Sequence, residues 1–135
     1  MTQSDATVAT PHARTSRRTP TTVFRVGWWV LVVLTAVLAA NHALGGSTYA
    51  TSDDERALFV VFLAFNALSL VVLLIPYRRR ERWSWWATWI PVLTNALPLV
   101  LYPIDKVVAF YAGVAVLMAA AQLTTLPAFD RRHTA

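Results

Sequence analysis

The sequence contains no cysteine, and only 14% of its 135 residues are charged. Without cysteine the chain has no disulfide, no thiolate nucleophile and no cysteine metal site. It also lacks a Gly-rich phosphate loop, a His-Glu-x-x-His helix and a Gly-x-Ser-x-Gly elbow. These absences exclude the common catalytic constellations. We therefore expect no cofactor and no metal, and the pattern does not favour an enzyme.

Apolar residues are gathered in four long blocks, at about 23–44, 57–76, 83–102 and 107–126. At about 1.5 Å rise per residue, some 20 helical residues cross the roughly 30 Å of bilayer hydrocarbon. None of the blocks contains Asp, Glu or Lys, and none shows the polar face of a water-soluble helix. The sequence predicts an all-α fold, an integral membrane four-helix bundle with up-down-up-down topology spanning residues 23–127. Residues 1–22 are predicted to form a disordered cytoplasmic tail, and residues 128–135 a short cytoplasmic one.

The basic residues indicate the orientation of these spans. Ten of the twelve fall on one side if the spans alternate: Arg14, Arg17, Arg18, Arg25, Arg78, Arg79, Arg80, Arg82, Arg131 and Arg132. The positive-inside rule places that side in the cytoplasm. We therefore expect a multi-pass protein of the inner (plasma) membrane with both termini in the cytoplasm. All six tryptophans start spans on this side, where indoles typically anchor helices at the interface. A cation cage or a quinone slot is the functional alternative for them.

Local signals predict where the helices begin and end. Gly45-Gly46 is typical of a helix end, and Ser52 with Glu55 forms a capping box for the second span. Asp105 is a candidate N-cap of the fourth span. Prolines are expected to close the later spans at positions 76, 103 and 127. Pro91 and Pro98 remove backbone hydrogen bonds inside the third span, so we expect it to be the most irregular stretch.

Polar side chains within the spans must find partners, because lipid offers none. Counting along each span places Asn66 and Asn95 near mid-depth and Asn41 with His42 near the outer end. These residues are candidates for an outward-opening polar crevice, with His42 and Asp105 at its mouth. The alternative is that each Asn forms an ordinary helix-to-helix hydrogen bond. His42 then lies at the interface.

The basic run Arg78, Arg79, Arg80 and Arg82 is denser than orientation requires, so it is a candidate site for anionic lipid headgroups. Simple anchoring is the alternative. The net charge of +5 lies in short flanks of spans, which argues against a nucleic-acid partner. Small residues along the fourth span also suit close packing with another helix, within the bundle, in a second copy or in a membrane protein partner.

The stretch from Tyr77 to Ala87, with its Arg-Arg-x-Glu-Arg-Trp-x-Trp-Trp pattern, resembles a basic-aromatic loop of uncharacterised small four-span bacterial membrane proteins. That resemblance implies a four-span fold and no activity. In size and span count the chain is also similar to small multidrug-resistance transporters. Those depend on a carboxylate in the first span, and residues 26–44 contain none, which argues against proton-coupled drug export.

Three functional hypotheses follow. The leading one is a structural or accessory membrane protein, because the spans are compact and carry no buried charge. The second is binding or transport of a small neutral or lipidic molecule through a polar crevice lined by Asn66 and Asn95. A membrane-embedded enzyme is the third.

Overall fold

A computed structural model describes residues 20–130, with side chains from residue 22 onward. Within this range the chain is all-helical, as predicted, and has no strand. The helices are α1 (Pro20–Thr48), α2 (Asp53–Val72), α3 (Arg82–Ala87), α4 (Trp89–Ala96), α5 (Pro98–Leu101) and α6 (Lys106–Thr125). A π-helical turn, Leu73–Tyr77, extends α2, and a 3₁₀ turn, Leu126–Ala128, extends α6. The predicted N-terminal tail lies outside the described residues except for residues 20–22, which belong to α1.

Three helical segments are long and apolar enough to cross a membrane: Thr22–Thr48, Asp53–Tyr77 and Lys106–Ala128. The third predicted span is helical but broken into α3, α4 and α5. Pro91 cannot donate to the Ala87 carbonyl, and the hydroxyl of Thr88 donates to the Ser84 carbonyl at 2.7 Å, where α3 ends. Pro98 interrupts the backbone ladder again and opens α5. The prediction that this stretch is the most irregular is confirmed.

The predicted end of the first helix is wrong. Helix α1 runs through Gly45 and Gly46 to Thr48, because the two glycines form a packing surface. A Cβ atom added to Gly45 would lie 2.3 Å from the Phe59 ring, and one on Gly46 would lie 3.1 Å from the Phe59 Cβ. Glycine here lets α2 approach α1 closely, so it serves tertiary contact rather than helix termination.

Both predicted N-caps form. The Ser52 hydroxyl accepts a hydrogen bond from the Glu55 N–H at 3.2 Å, and the Asp105 carboxylate accepts one from the Val108 N–H at 2.8 Å. The Glu55 carboxylate completes the first cap by accepting from the Thr51 N–H at 2.7 Å. These caps satisfy backbone donors that the first helical turn leaves free.

The long helices pack in antiparallel pairs. Phe24, near the start of α1, contacts Tyr77 and Phe129, whereas His42, near its end, contacts Phe59 and Tyr111. Helix α1 therefore lies between α2 and α6, and α6 packs in turn against α4. Helices α2 and α4 make at most marginal contact, so these four elements follow the order α2, α1, α6, α4 rather than a closed ring.

The two ends of this assembly differ in charge. The arginine end carries Arg25 with Arg78, Arg79, Arg80 and Arg82. The acidic end carries Asp53, Asp54, Glu55 and Asp105, together with Arg56 and Lys106.

An aromatic core closes the arginine end. The Tyr77 ring is fully buried between Phe24 and Phe129, with ring centroids 6.1 and 4.9 Å away. Phe129 and Ala128 are themselves buried, so the folded region extends past residue 127, where the C-terminal tail was predicted to begin. Residues 131–135 of that predicted tail lie outside the described residues.

Two tryptophans belong to this core rather than to an interface. Trp28 and Trp85 are buried, and their indole N–H groups donate to the Leu73 carbonyl at 2.8 Å and the Gln122 carbonyl at 3.3 Å. The Gln122 amide donates in return to the Trp85 carbonyl at 2.6 Å. Trp29, Trp83 and Trp86 are more than half exposed, so the prediction that all six anchor at the interface is wrong for Trp28 and Trp85.

Candidate functional site

Three long helices bring polar side chains together near the acidic end. The His42 imidazole of α1 lies between the amide of Asn66 on α2 and the hydroxyl of Tyr111 on α6, with 3.1 Å from Nδ1 to Nδ2 and 3.1 Å from Nε2 to the phenol oxygen. The Asn41 amide reaches the same phenol oxygen at 3.4 Å. We call these four residues the polar junction.

The hydrogen bonds around His42 suit one tautomer of the neutral imidazole. The Asn66 amide nitrogen can only donate, and it already donates one proton to the Phe62 carbonyl at 2.8 Å. Its second proton is available to Nδ1 when the ring carries its own proton on Nε2, and the Nε2–H group then donates to Tyr111. The Leu38 carbonyl, one turn earlier on α1, also lies within hydrogen-bonding reach of the ring.

One atom of the polar junction has no partner among the described residues. Asn66 is only 3% exposed, and its Oδ1 atom accepts no hydrogen bond from any described group. A buried acceptor without a donor costs about 1–3 kcal/mol. Exchanging the amide oxygen and nitrogen would place two acceptors against each other at the Phe62 carbonyl, so the bonds that Asn66 makes fix this orientation.

A crevice of about 300 Å³ opens beside the polar junction. It lies between α1 and α2, and His42 forms part of its wall. The other lining residues are mainly apolar or small: Ala43, Gly46, Ser47, Arg56, Phe59, Val60 and Leu63. Asn66 lies one helical turn beyond Leu63 on α2, directly behind His42. The crevice thus has mainly apolar walls with three polar residues, His42, Ser47 and Arg56, which is the usual character of a small-molecule site.

His42 is also enclosed by aromatic rings. Phe62 stacks on the imidazole with centroids 5.2 Å apart, and the rings of Phe59 and Tyr111 lie 6.2 Å away. The residue is 6% exposed and forms part of the crevice wall, whereas Asp105 does not line the crevice; the alternative of a histidine at the membrane interface stays a prediction. The imidazole of α1 thus contacts side chains of both α2 and α6.

Only part of the predicted set meets at this place. Asn41, His42 and Asn66 converge, as expected for one site. Asn95 instead donates to the Pro91 carbonyl of its own helix at 2.7 Å, and Asp105 caps α6. The structure therefore does not join Asn66 and Asn95 in one hydrogen-bonded stripe, because α4 packs on α6 and not on α2.

Sequence reasoning missed Tyr111. A tyrosine in an apolar block is most simply interpreted as an interfacial anchor. The usable signal was depth, since Tyr111 lies about as far from the start of α6 as His42 lies from the end of α1. Two antiparallel helices place such residues at the same level.

Most other polar side chains of the apolar helices form their hydrogen bonds within their own helix. The hydroxyls of Thr35, Ser69 and Thr94 each donate to the carbonyl four residues earlier, at 2.8–2.9 Å. This arrangement needs no partner from another helix. Polar side chains link separate helical elements at the polar junction and, at the arginine end, through the bonds of Trp28, Tyr77, Trp85 and Gln122.

Two residues of the predicted headgroup site, Arg78 and Arg80, lie over aromatic rings at the arginine end. The Arg78 guanidinium is 5.6 Å from the Trp28 ring centroid, and that of Arg80 is 4.8 Å from the Phe24 centroid. Arg79 and Arg82 are exposed. Among the described side chains, the only ion pair joins Arg56 to Asp53 at the acidic end.

The described residues contain no group of three or more His, Asp or Glu side chains placed to hold a metal ion. The fold and the site together define an all-helical protein with three candidate membrane-crossing helices. No family model, curated protein or solved structure matches the chain. Its function must therefore be argued from its own residues.

Proposed function

We propose that this chain is an integral membrane protein with four crossings, its arginine end in the cytoplasm of a bacterial-type inner membrane and both termini on that side. The charge difference between the two ends supports this orientation, since a surplus of arginine marks the cytoplasmic side of short loops. The three uninterrupted apolar helices supply three of the crossings.

The fourth crossing follows from connectivity. Helix α2 and its π turn finish at the arginine end, whereas α6 starts at the acidic end with its Asp105 cap. The segment Arg82–Leu101 must connect those ends, and its 20 or so residues suffice for about 30 Å of helix. A broken helix is tolerated at membrane depth where neighbouring helices cover its free backbone groups, and α6 lies against α4.

Single cysteines test this topology directly, because the native chain has none. We expect R79C to react with a membrane-impermeant maleimide only after the cells are opened, whereas D54C and I104C react in intact spheroplasts. Ile104 is 78% exposed, so its label reports the loop between α5 and α6. Labelling of Arg79→Cys and Ile104→Cys from the same side would contradict a fourth crossing.

We further propose that the protein binds a small neutral or lipidic molecule in the crevice between α1 and α2. The crevice itself carries this proposal, because its walls are mainly apolar and include the imidazole of His42. The polar part of a ligand would lie against His42 and Ser47. The walls formed by Phe59, Val60 and Leu63 would hold its apolar part.

Neutrality of the ligand follows from the local charges. Arg56 is the only charged residue lining the crevice, and it pairs with Asp53 at 3.2 Å. Both side chains are largely exposed, so this pair contributes little stability and does not create a buried charge. The interior of the crevice is therefore suited to an uncharged group.

Two leucine substitutions on α1 test the crevice. Ala43 lines it and is exposed, so Ala43→Leu fills the space without displacing the packed core. Ala40 is also exposed but does not line the crevice, so Ala40→Leu is the matched control. Native mass spectrometry of protein extracted in mild detergent should show a co-purifying small molecule in the wild type and A40L, and at least a tenfold lower occupancy in A43L. Equal occupancy in all three would exclude the crevice.

A second candidate function is that of an accessory protein that associates with another membrane protein or a second copy. The observation that favours it is the exposure of α2, because only 17% of the residues in its most apolar stretch are buried within the chain. Small-angle scattering and co-purification in mild detergent test it. A strictly monomeric protein without a co-purifying partner would count against association.

A further inference from the structure

The arginine end places two guanidinium groups over aromatic rings. Arg78 lies over Trp28, whose indole is locked by its bond to the Leu73 carbonyl. Arg80 lies over Phe24, whose ring is buried between Tyr77 and Phe129. Because both rings are held by packing, each offers a fixed face to the guanidinium group that lies over it.

The backbone at Arg80 is left-handed, with φ of 61°. The Arg80 N–H donates to the Tyr77 carbonyl at 2.9 Å and the Glu81 N–H to the Pro76 carbonyl at 3.0 Å, which is the Schellman arrangement. Glycine is the usual residue at this position, because a Cβ atom disfavours the left-handed backbone. Arginine at this position therefore makes the turn less stable than glycine would, but it places a guanidinium group over the Phe24 ring.

These two cations have no carboxylate partner among the described side chains. Glu81, the nearest acid in sequence, accepts instead from the Trp83 indole N–H at 2.8 Å. Phe24 and Trp28 are four residues apart, about 6 Å along the axis of α1, so the two rings that the guanidinium groups cover lie on one face of this helix. Guanidinium groups gathered on one face can bind a phosphate by charge-assisted hydrogen bonds.

We propose that Arg78 and Arg80 form a specific binding site for the phosphate of an anionic phospholipid. The surroundings favour a lipid over a soluble phosphate. Three indoles at this end, Trp29, Trp83 and Trp86, are more than half exposed, as expected for side chains that meet the bilayer interface. The neighbouring apolar side chains Val26 and Ile75 are exposed too and are available to acyl chains.

The four arginines of this run fall into two pairs, Arg78 with Arg80 and Arg79 with Arg82. Arg79 and Arg82 carry the same charge as Arg78 and Arg80 but have no ring beneath them among the described contacts. General attraction to an anionic membrane would treat the pairs alike. A specific binding site would lose affinity when Arg78 and Arg80 are replaced, but not when Arg79 and Arg82 are.

The test uses the full chain in nanodiscs or micelles that contain phosphatidylcholine with added phosphatidylglycerol, and native mass spectrometry counts the retained phosphatidylglycerol. The double variant R78Q/R80Q should weaken apparent phosphatidylglycerol affinity at least tenfold relative to phosphatidylcholine. The matched variant R79Q/R82Q should weaken it no more than about threefold, since it removes only long-range attraction. Equal losses in the two variants would overturn the proposal.

Two further arms complete the test. Arg80→Gly relieves the left-handed backbone and so keeps the fold, yet it should still lose most of the phosphatidylglycerol preference; retention of that preference would overturn the site. Inorganic phosphate at millimolar concentration should not displace the lipid. Displacement by inorganic phosphate would show a soluble-anion site instead of a lipid site and would likewise overturn the proposal.

Discussion

Substitution of Gln122 by leucine tests how the arginine end is held together. Gln122 is fully buried, and its amide donates to the Trp85 carbonyl at 2.6 Å while its Oε1 accepts from the Tyr77 hydroxyl at 3.1 Å. Leucine has a similar volume, so the change removes hydrogen bonds without opening a cavity. The Trp85 carbonyl loses this donor, whereas Tyr77 keeps its bond to Thr125.

The expected loss is about 1–2 kcal/mol of unfolding free energy. A single interhelical hydrogen bond in a membrane contributes on average about 0.6 kcal/mol, and a buried group left without a partner costs about 1–3 kcal/mol. Reversible unfolding in mixed SDS micelles, followed by far-UV circular dichroism, measures the difference. The control is Leu123→Ala on the exposed side of α6, which should change stability by no more than about 0.5 kcal/mol.

A double-mutant cycle with Tyr77→Phe separates the bond from general packing. Tyr77 and Gln122 share one hydrogen bond, so the double variant should lose about 0.5–1 kcal/mol less than the sum of the single variants. Additive losses, or a Gln122→Leu variant as stable as the wild type, would refute the reasoning.

Three other substitutions have matched controls. Gly45→Ala should destabilise the chain by about 1–3 kcal/mol in the same unfolding assay, because its Cβ would lie 2.3 Å from the Phe59 ring. Gly113→Ala meets no atom within 4 Å and should be neutral or slightly stabilising, so equal effects of the two changes would contradict the packing. Trp28→Phe should cost about 1 kcal/mol by removing the bond to the Leu73 carbonyl, whereas Trp29→Phe, on an exposed ring, should cost little. Asn66→Leu should cost about 1–2 kcal/mol by removing the contact between α2 and His42 of α1, whereas Ser69→Ala, whose hydroxyl bonds only within its own helix, should cost less; equal losses would contradict the role of Asn66.

Local sequence rules predicted the long helices well and their packing poorly. The caps at Ser52 and Asp105 depend on residues within one turn, and both form. Gly45 and Gly46 carry the local signal of a helix end, but their role is set by Phe59, which is distant in sequence. Tryptophan shows the same limit, since composition cannot tell a buried indole bonded to a carbonyl from one at an interface.

The candidate site could be predicted only in part. Counting along the spans placed Asn41 with His42 near the outer end and Asn66 near mid-depth, whereas the structure brings Asn66 into contact with His42. Counting could not separate Asn95, because the order in which helices pack decides which faces meet. The unpaired Asn66 oxygen was also beyond sequence reasoning, since it depends on the bonds that Phe62 and His42 make with the same amide.

The claim that a molecule occupies the crevice is tested most directly by photo-crosslinking in living cells. A photoreactive amino acid at Leu63 lies in the crevice wall, whereas one at Val61 lies on the exposed face of α2. We predict that mass spectrometry finds a defined small-molecule adduct at position 63 and only bulk phospholipid adducts at position 61. Identical bulk-lipid adducts at both positions would contradict a binding site between α1 and α2.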